Sequence, residues 1–270
     1  MTKLLGVIGD PIAHSMSPLI HNGWLRDLGY DATYEAMHVP DGELDLALET
    51  LQHRDVLGVN VTLPHKKAAL AAAMTKSKAS TSIGAANTLT LQSDATWAAD
   101  NTDAPGFLSA VGALDPHTDS VVVLGAGGSA RAIVYALKNV GFSPTILNRT
   151  KSKAENLASE LGAHGTRGDS LDQYTEHLRS ATIVINTTSM GYDGSVLQLP
   201  QGSDRLFFDI SYGKVSAPQL DHAKAQGWQT RDGLTMLVAQ AAFSFEIWFN
   251  EKPSLEDGLR RCQNAMRAIT

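Results

Sequence analysis

Residues Val121–Arg131 read VVVLGAGGSAR, and this stretch constrains the fold more than any other part of the chain. Four apolar residues predict a short buried strand, and the apolar pattern after Ala130 predicts a helix. Between them, Gly125, Gly127 and Ala130 complete the pattern G-x-G-x-x-A. The first glycine allows a tight turn, the second lets the backbone approach a pyrophosphate, and the small alanine lets helix and strand pack closely. The pattern therefore predicts a dinucleotide site, with the phosphates at the positive end of the helix dipole.

The next predicted strand indicates which dinucleotide binds. Residues 145–147, Thr-Ile-Leu, form this strand and lead into Asn148 and Arg149, about 20 residues after the glycines. An NAD site places an acidic residue here to bind the ribose hydroxyls, whereas an arginine suits the 2′-phosphate of NADP. Lys151 and Lys153 add positive charge at a helix start, where cations are unfavourable unless an anion is bound. A solvated basic helix start is the alternative, but the pattern favours NADP as the cofactor.

The composition of the whole chain limits the class of protein. The 270 residues are 43% apolar and 19% charged, which is typical of a globular protein with room for two domains. A net charge of −6 argues against nucleic acid and anionic membranes as partners. Cys262 is the only cysteine, which excludes a disulfide framework and a thiolate zinc site. With no apolar run long enough for a signal peptide or a membrane span, we expect a cytoplasmic protein that binds a small-molecule substrate and no metal.

Strands and helices alternate along the chain, which predicts an α/β fold with mostly parallel sheets covered by helices. Strands are predicted at 4–8, 33–39, 56–61, 182–186, 206–210 and near residues 121 and 145; helices are predicted at 18–28, 42–51 (capped by Asp41), 65–73, 104–114, 234–249 and 255–269. We expect an open, mostly parallel α/β substrate-binding and catalytic domain over 1–103 and a Rossmann-type NADP-binding domain over 119–235. Residues 104–118 are expected to hold a connecting helix, and residues 236–270 to form C-terminal helices that pack back on the first domain.

If NADP binds, the default reaction is hydride transfer, and the protein must supply a proton donor or acceptor. The pattern Tyr-x-x-x-Lys does not occur, which excludes the usual device of short-chain alcohol dehydrogenases. A zinc-polarised alcohol is disfavoured because no histidine pair has metal-ligand spacing. The remaining candidates are polar clusters that follow the apolar strands of the first domain, where open α/β sheets bind ligands. These clusters are HSMSP (14–18), NVTLPHK (60–66), GAANT (84–88) and NTD (101–103).

At these clusters the chain resembles the shikimate dehydrogenase family. The shared motifs run in order from the first strand to the C-terminal helices: SMS, NVTLPHK, GAANT, NTD, GAGGSAR, NRT, DISY and DGLTMLVAQAA. The resemblance implies the reversible reduction of 3-dehydroshikimate to shikimate with NADPH, a step in the biosynthesis of chorismate and the aromatic amino acids.

The resemblance implies that Lys66 and Asp103 are the catalytic pair, and the chemistry agrees. Oxidation of a secondary alcohol by loss of hydride also requires loss of a proton, and an amine shielded from water can exchange one near neutral pH. A nearby carboxylate would orient the amine, so that the two groups titrate as a pair. From the residues alone, the lysine could be a solvated helix end, and Asp103 could be the N-cap of a helix that begins at Ala104.

The resemblance also assigns binding residues. Ser15 and Ser17 are implied to bind the substrate carboxylate, and in an extended segment their hydroxyls would face the same way. Before Pro18, however, Ser17 is also a good helix cap. The implied contacts to the rest of the substrate are Thr62, Asn87, Tyr212 and Gln240. The predicted cofactor-binding residues are Gly125, Ala126, Gly127, Gly128, Ser129, Asn148, Arg149, Thr150 and Lys153, with Thr188, Ile210 and Gly233 on the nicotinamide side.

Gln240 is the most informative of the implied substrate residues, because an amide in the apolar helix MLVAQAAF is costly unless it is paired. A core amide bonded to backbone is the alternative for this residue. His14, His21 and His65 also lie near the motifs, but a histidine beside a motif is more often a surface or supporting residue than a catalytic one. We therefore leave the three histidines out of the catalytic set.

Two alternatives to an NADP-dependent shikimate dehydrogenase stay open at the level of sequence. One is a quinate/shikimate dehydrogenase, since family members that favour quinate tend to use NAD and to alter the serine or threonine positions; Ser15, Ser17 and Arg149 argue against it. The other is an NADP-binding regulator without catalysis, against which the intact Lys66 and Asp103 count. The sequence leaves both a monomer and a homodimer open.

Overall fold

The computed structural model describes residues 2–268, and the chain divides into two compact units. The first unit contains the chain up to Gly106 together with the residues from Leu237 onward, and the second is Phe107–Met236. Two helices, α5 (Asp103–Val111) and α10 (Leu234–Phe249), contain the points at which the chain passes from one unit to the other.

The first unit is built on a six-stranded mixed sheet with the order β2-β1-β3-β5-β6-β4. Its strands are β1 (Lys3–Gly9), β2 (Ala32–His38), β3 (Val56–Val61), β4 (Thr75–Lys76), β5 (Thr88–Leu91) and β6 (Trp97–Asp100). Its helices before the crossing are α1 (Ser17–Leu28), α2 (Leu44–Gln52), α3 (Lys66–Ala72) and α4 (Lys78–Ile83). Strand β1 is parallel to β2 and β3, whereas β5 is antiparallel to β3 and β6. The near-continuous apolar run of β1 is buried, as expected of a central strand with both faces covered.

The second unit is a fully parallel sheet with the order β12-β11-β10-β7-β8-β9. Its strands are β7 (Val121–Leu124), β8 (Thr145–Asn148), β9 (Arg167–Ser170), β10 (Ile183–Asn186), β11 (Leu206–Asp209) and β12 (Gln229–Arg231). Its helices are α6 (Gly128–Asn139), α7 (Lys151–Leu161), α8 (Tyr174–His177) and α9 (Ala217–Ala225), with a 3-10 turn at Leu171–Gln173. This strand order is that of the Rossmann fold, in which ligands bind where the order reverses, between β7 and β10.

The C-terminal helices complete the first unit, because α11 (Leu255–Ala268) packs on α1. The Trp24 indole donates a hydrogen bond to the carbonyl oxygen of Ser254 at 3.0 Å. A Cβ added to Gly258 would lie 2.8 Å from the same indole, so the close approach of these helices requires glycine. Ile269, the predicted end of this helix, lies outside the described residues. None of the helices within residues 2–268 is long and apolar enough to span a membrane.

Several predicted helix ends are wrong, among them one in each of the second, the connecting and the first helix. Helix α2 begins at Leu44 and has no side-chain cap from Asp41, because Gly42 has a φ of +86° that no right-handed helix contains. The connecting helix ends at Val111 rather than Leu114, because Gly112 takes a φ of +88°. Helix α1 begins one residue early, so Ser17 is its first residue rather than its cap.

Candidate active site

Lys66 and Asp103 form an ion pair in the first unit. Each is the first residue of its helix, α3 and α5. Lys66 Nζ lies 2.6 Å from Asp103 Oδ2, and only 12% and 7% of the two side chains are exposed. A charge-assisted hydrogen bond in so sheltered a position is stronger than a surface ion pair.

Asp103 does not cap α5, contrary to one sequence interpretation. The side chain of Asn101 fills that role, because its Oδ1 accepts hydrogen bonds from the backbone N–H groups of Asp103 at 3.1 Å and of Ala104 at 3.4 Å. The Asn101 amide nitrogen donates in turn to the carbonyl oxygen of Ala85 at 3.0 Å. The Asp103 carboxylate is therefore not used by its own helix and can interact with Lys66.

Asn87 links the carboxylate to Gln240. Its Nδ2 donates to Asp103 Oδ1 at 3.0 Å and to Gln240 Oε1 at 3.1 Å. Its Oδ1 accepts from the backbone N–H of Thr102 at 2.7 Å, which fixes the orientation of the amide because a backbone N–H can only donate. The Gln240 amide nitrogen donates to the carbonyl oxygen of Leu237 at 2.8 Å. The amide in the apolar helix α10 is thus paired at both ends, with a side chain and with backbone.

A buried polar network behind these residues was missed by the sequence reasoning. Asn60 accepts from the Tyr34 hydroxyl at 2.7 Å and donates to Ser244 Oγ at 2.8 Å. Ser244, fully buried on α10, lies 2.9 Å from Thr88 Oγ1 and 3.1 Å from Thr102 Oγ1. The available signal was the placement of polar residues within apolar strands and helices, since such residues must find partners when buried.

The two serines of the SMS motif lie in a turn, so the expected extended segment is wrong. Met16 between them has right-handed helical angles of −86° and −4°. Ser15 Oγ accepts from the backbone N–H of Ser17 at 3.3 Å. The Ser17 hydroxyl is buried and hydrogen-bonded to Tyr34, whose pKa is raised well above its usual value by burial, against the lowering effect of that bond.

Thr62 follows β3, and its backbone N–H donates to the carbonyl oxygen of Ile8 at 2.9 Å. The buried His65 ring places Nε2 2.7 Å from the carbonyl oxygen of Val39, which is a supporting role. His21 stacks on Tyr34 with ring centroids 4.1 Å apart, and burial lowers its pKa to about 3. His21 is therefore neutral and structural. Tyr212 lies in the second unit, after β11, and is partly exposed.

The glycine loop of the second unit joins β7 to α6. Gly125 has a φ of +107°, and a Cβ on it would collide with Thr187, so both backbone angle and space require glycine. A Cβ on Gly127 would meet no atom within 4 Å, which leaves open space beside the backbone. Gly127 is the N-cap of α6 and has no side chain with which to cap it. Ala126, Gly128 and Ser129 complete the loop and the first turn of the helix.

The basic residues after β8 have different environments. Lys151 Nζ lies 3.0 Å from Asp169 Oδ1, and this hydrogen bond raises the pKa of the lysine. Asp169 has its own pKa lowered to about 2, mainly by the Ser170 backbone N–H, and then by Lys151 and His177. Arg149 and Lys153 are exposed, and within residues 2–268 neither forms an ion pair. These two side chains are the ones free to bind an added anion.

Asn148 and Thr150 shape the same turn. The Asn148 amide donates to the carbonyl oxygen of Thr150 at 2.9 Å, and Thr150 is the N-cap of α7. Thr188, Ile210 and Gly233 follow β10, β11 and β12, so they lie at the same edge of the sheet as the glycine loop. A Cβ on Gly233 would collide with the carbonyl group of Ile210, which accounts for glycine there.

Two carboxyls, the buried Asp209 and the partly exposed Asp232, lie at this edge of the second sheet. Burial raises the pKa of Asp209, and it raises the pKa of Asp232 as well. No group of three side chains in the described part of the chain is arranged to hold a metal ion. The edge therefore offers glycine backbone, exposed basic groups and hydroxyls, a donor set that fits a phosphorylated dinucleotide.

Comparisons with known proteins identify the family. Residues 7–89 match the shikimate dehydrogenase substrate binding domain, 110–223 match shikimate / quinate 5-dehydrogenase, and 233–261 match the shikimate 5′-dehydrogenase C-terminal domain. A shikimate dehydrogenase (NADP(+)) of Hyphomonas neptunium is 48% identical over 272 residues, with both chains covered completely. The chain belongs to the shikimate dehydrogenase family.

Solved structures of shikimate dehydrogenases have the same fold. The enzyme of Aquifex aeolicus superposes with a TM-score of 0.87 at 32% identity, covering 97% of each chain. The enzyme of Thermus thermophilus, in complex with NADP(H) and shikimate, superposes with a TM-score of 0.85 at 34% identity, covering 97% of this chain and 99% of the other. The predicted two-unit α/β architecture with a Rossmann-type second unit is confirmed.

Proposed function

We propose that this shikimate dehydrogenase family member reduces 3-dehydroshikimate to shikimate with NADPH, reversibly, and that Lys66 and Asp103 are its acid–base pair. The chain is an oxidoreductase with NADP as its cofactor, as its close relatives are named. The observation that carries the residue-level proposal is the sheltered 2.6 Å ion pair, in which the second carboxylate oxygen is held by Asn87.

Bound NADPH supplies the hydride for reduction. Lys66 gives a proton from Nζ to the carbonyl oxygen of the substrate, so that a ketone gains a hydride and a proton and becomes a secondary alcohol. In the reverse direction, Lys66 takes the hydroxyl proton. Asp103 accepts a hydrogen bond from Nζ and orients the amine, while Asn87 donates to the same carboxylate and keeps it in place.

The remaining substrate contacts are proposed for residues at the carboxyl ends of the first sheet and on α10. Ser15 and Ser17 would bind the substrate carboxylate, which requires the Ser17 hydroxyl to turn from Tyr34. Thr62, Asn87 and Gln240 would bind ring hydroxyls, with Tyr212 of the second unit as a further contact. We assign substrate binding and catalysis to residues 1–103, supported by 236–270, and NADP binding to residues 119–235.

The cofactor would be held by residues at the carboxyl edge of the second sheet. The α6 N-terminus and the open side of Gly127 favour a pyrophosphate. Arg149 and Lys153, without ion-pair partners in the described chain, favour the 2′-phosphate that distinguishes NADP from NAD. Thr188, Ile210 and Gly233 would lie on the nicotinamide side.

Two other functions are less well supported. One family description includes quinate, but Ser15, Ser17 and Arg149 favour shikimate and NADP. A regulator without catalysis would have no use for the sheltered Lys66–Asp103 pair. We also propose that the enzyme works in the cytoplasm, as a monomer or a homodimer, two states that analytical ultracentrifugation distinguishes.

The test follows nicotinamide absorbance after the purified protein is mixed with shikimate or quinate, each with NADP and with NAD. We expect rapid reduction of NADP with shikimate and much slower reaction in the other three mixtures. Faster reaction with quinate and NAD would contradict the assignments of Arg149 and the serines. Binding of NADP without turnover in any mixture would favour the regulator.

A further inference from the structure

A directed chain of hydrogen bonds runs along the carboxyl edge of the second sheet. Asp209 ends β11 and Asn186 ends β10, and both are fully or almost fully buried. The Asn186 amide nitrogen donates to Asp209 Oδ2 at 2.9 Å. The Asn186 amide oxygen accepts from Thr188 Oγ1 at 2.7 Å and from the Thr188 backbone N–H at 3.1 Å. Neither Asp209 nor Asn186 has a role in the function described so far.

Asp209 determines the direction of this chain. Its carboxylate accepts from Asn186, from the Ser211 backbone N–H at 2.8 Å and from the Ser211 side chain. An ionised carboxylate has no proton to donate, so the Asn186 amide must turn its nitrogen toward Asp209 and its oxygen toward Thr188. The backbone N–H of Thr188 requires the same orientation, because it can only donate.

This orientation fixes the hydrogen-bonding character of the Thr188 hydroxyl. A hydroxyl has one proton and two acceptor lone pairs. The proton is engaged by Asn186, and one lone pair accepts from the Met190 backbone N–H at 3.2 Å. The other lone pair receives no further donor from residues 2–268. Thr188 is partly exposed as a residue, and a ligand that reaches its hydroxyl would meet an acceptor and no donor.

Thr188 lies beside the glycine loop. A Cβ added to Gly125 would be 3.4 Å from Thr188 Cγ2, which places this threonine next to the point where the strand order reverses. That point is where a doubly wound sheet binds its ligand. The acceptor is therefore part of the surface that a dinucleotide would contact.

We propose that Asp209 and Asn186 are positioning residues that hold the Thr188 hydroxyl as an acceptor for an N–H group of the bound cofactor, the nicotinamide carboxamide. The inference rests on the proposed NADP-dependent function. Within that function, two buried residues that do not touch the cofactor control how its reactive end is oriented.

The test compares NADP with its 3-acetylpyridine analogue, in which a methyl ketone replaces the carboxamide and the N–H donor is lost. Thr188→Val and Asp209→Asn should each lower kcat/KM for NADP by about three- to tenfold, the value of one hydrogen bond. With the analogue the same substitutions should change kcat/KM less than about twofold. Thr188→Ser retains the hydroxyl and should therefore retain the preference for NADP over the analogue, whatever its absolute rate. Equal losses with NADP and the analogue would overturn the proposal, because a general structural defect affects both alike.

A double substitution tests the direction of the chain. In Asp209→Asn, the Ser211 backbone N–H requires the new amide oxygen at its own side, which leaves the new amide nitrogen facing the Asn186 nitrogen. Asn186 can avoid this contact only by turning over, and it then faces the Thr188 N–H with a second donor. Asp209→Asn combined with Asn186→Asp moves the negative charge from position 209 to position 186, its neighbour in the hydrogen-bond chain. Position 186 can then again accept both hydrogen bonds from Thr188. The double variant should recover the NADP preference over the analogue that the single variant loses. Failure to recover it in a folded protein, judged by thermal unfolding, would contradict the proposal.

Binding separates this proposal from the proposed function. The dissociation constants of NADPH and of the reduced analogue are measured by nicotinamide fluorescence, which requires no turnover. If the unmodified protein shows no dehydrogenase activity, the proposed function fails. Thr188→Val should even then weaken the binding of NADPH more than the binding of the reduced analogue. If Asp209→Asn does not fold, Thr188→Val and the double variant decide the outcome. An unchanged ratio of the two dissociation constants in Thr188→Val would refute the inference.

Discussion

At the scale of single residues, the first unit controls charge by pairing and by exclusion of water. Lys66 and Asp103 are both charged groups with little exposure, and each has a partner. His21 is the opposite case, since its ring is buried among aromatic side chains, where a positive charge is unfavourable. These environments give different consequences for activity and for stability.

Replacing Lys66 with alanine should remove the proton donor and acceptor. We expect kcat to fall by about 10²- to 10⁴-fold, the usual contribution of general acid–base catalysis, while the KM for shikimate changes only a few-fold. Lys67→Ala is the matched control, because Lys67 is exposed on the same helix and should be dispensable. Steady-state kinetics with NADP check both variants. Turnover near the original rate in Lys66→Ala would remove Lys66 from the catalytic pair.

Replacing Arg149 with alanine should affect the two dinucleotides differently. We expect the KM for NADP to rise about tenfold or more and the KM for NAD about twofold or less, because only NADP has a 2′-phosphate for a guanidinium to grip. Lys151→Ala should have the smaller effect, since Lys151 is already paired with Asp169. Kinetics with each cofactor at saturating shikimate measure the effect. A similar rise for NAD and NADP would argue that Arg149 does not contact the 2′-phosphate.

His21 predicts an acid-sensitive component of stability. Its pKa of about 3 in the folded protein lies below the ordinary value of 6.5, so the unfolded chain takes up the proton first as pH falls. The stability due to neutral His21 is therefore present above pH 6.5 and is lost progressively toward pH 3. His21→Phe retains the stack on Tyr34 but has no group that takes up this proton. Between pH 8 and 5, the free energy of unfolding of the unmodified protein should therefore fall by about 2 kcal/mol more than that of His21→Phe. Urea titrations at several pH values measure the difference.

A pH profile of His21→Phe that follows the unmodified protein throughout would show that His21 is not buried as a neutral ring.

At the scale of elements, close backbone contacts determine which sequences fit. Gly168 on β9 faces α7, and a Cβ added to it would collide with the backbone of Ala154 and Glu155. The first turns of α7 carry Lys151 and Lys153 and follow directly on Arg149. The packing of this helix on β9 therefore supports the proposed 2′-phosphate site.

Gly168→Ala should lower the free energy of unfolding by about 1–3 kcal/mol, the cost of forcing an extra methyl group into a packed contact. Because the helix must move, the KM for NADP should also rise, whereas the KM for shikimate should stay the same. Chemical denaturation and kinetics measure the two effects. A variant as stable as the original protein would contradict the tight packing of β9 against α7.

The same elements show which features sequence patterns can predict. Strand β3 and helix α10 have the predicted bounds, because a continuous apolar run and a long apolar helix are strong local signals. The antiparallel pair β5 and β6 was not predicted, since strands of four residues give little pattern to read. The cap at Asn101 and the turn at Ser15–Ser17 depend on backbone angles that neighbouring residues impose, so composition and spacing did not determine them.

The candidate site also contains residues that sequence motifs indicate and residues that they do not. Motifs indicated the residues whose side chains would contact ligands, and Lys66, Asp103, Asn87 and Gln240 do lie together in the first unit. Thr102, whose backbone N–H orients Asn87, is in turn contacted by Ser244 from a distant part of the chain. Contacts across more than a hundred residues of sequence leave no local pattern, so these supporting roles became visible only in three dimensions.

At the scale of the whole molecule, an acidic protein must bind an anionic cofactor through a local group of positive charges. The net charge is −6, and Arg149 and Lys153 are the basic groups near the proposed 2′-phosphate site that have no ion-pair partner within the described residues. Binding of NADP to the native state alone should stabilise the entire protein by mass action.

NADP at 100 times its dissociation constant should therefore raise the free energy of unfolding by about 2.7 kcal/mol. At the same concentration, NAD should give a smaller increase, and Arg149→Ala should reduce the effect of NADP toward that of NAD. Thermal unfolding at a series of cofactor concentrations measures this linkage. Equal stabilisation by NAD and NADP in the unmodified protein would contradict a site selective for the 2′-phosphate.

The discontinuous first unit has a consequence for synthesis on the ribosome. Residues 107–236 form the second unit from one continuous segment, so all of its strands are translated before the last two helices. The first unit, in contrast, must wait for α10, which brings Gln240 to Asn87, Ser244 to Asn60 and the Trp248 indole to the carbonyl oxygen of Leu89. All residues of the second unit are thus made before the first unit has its full set, and the earliest residues to be made are among the last to reach their final environment.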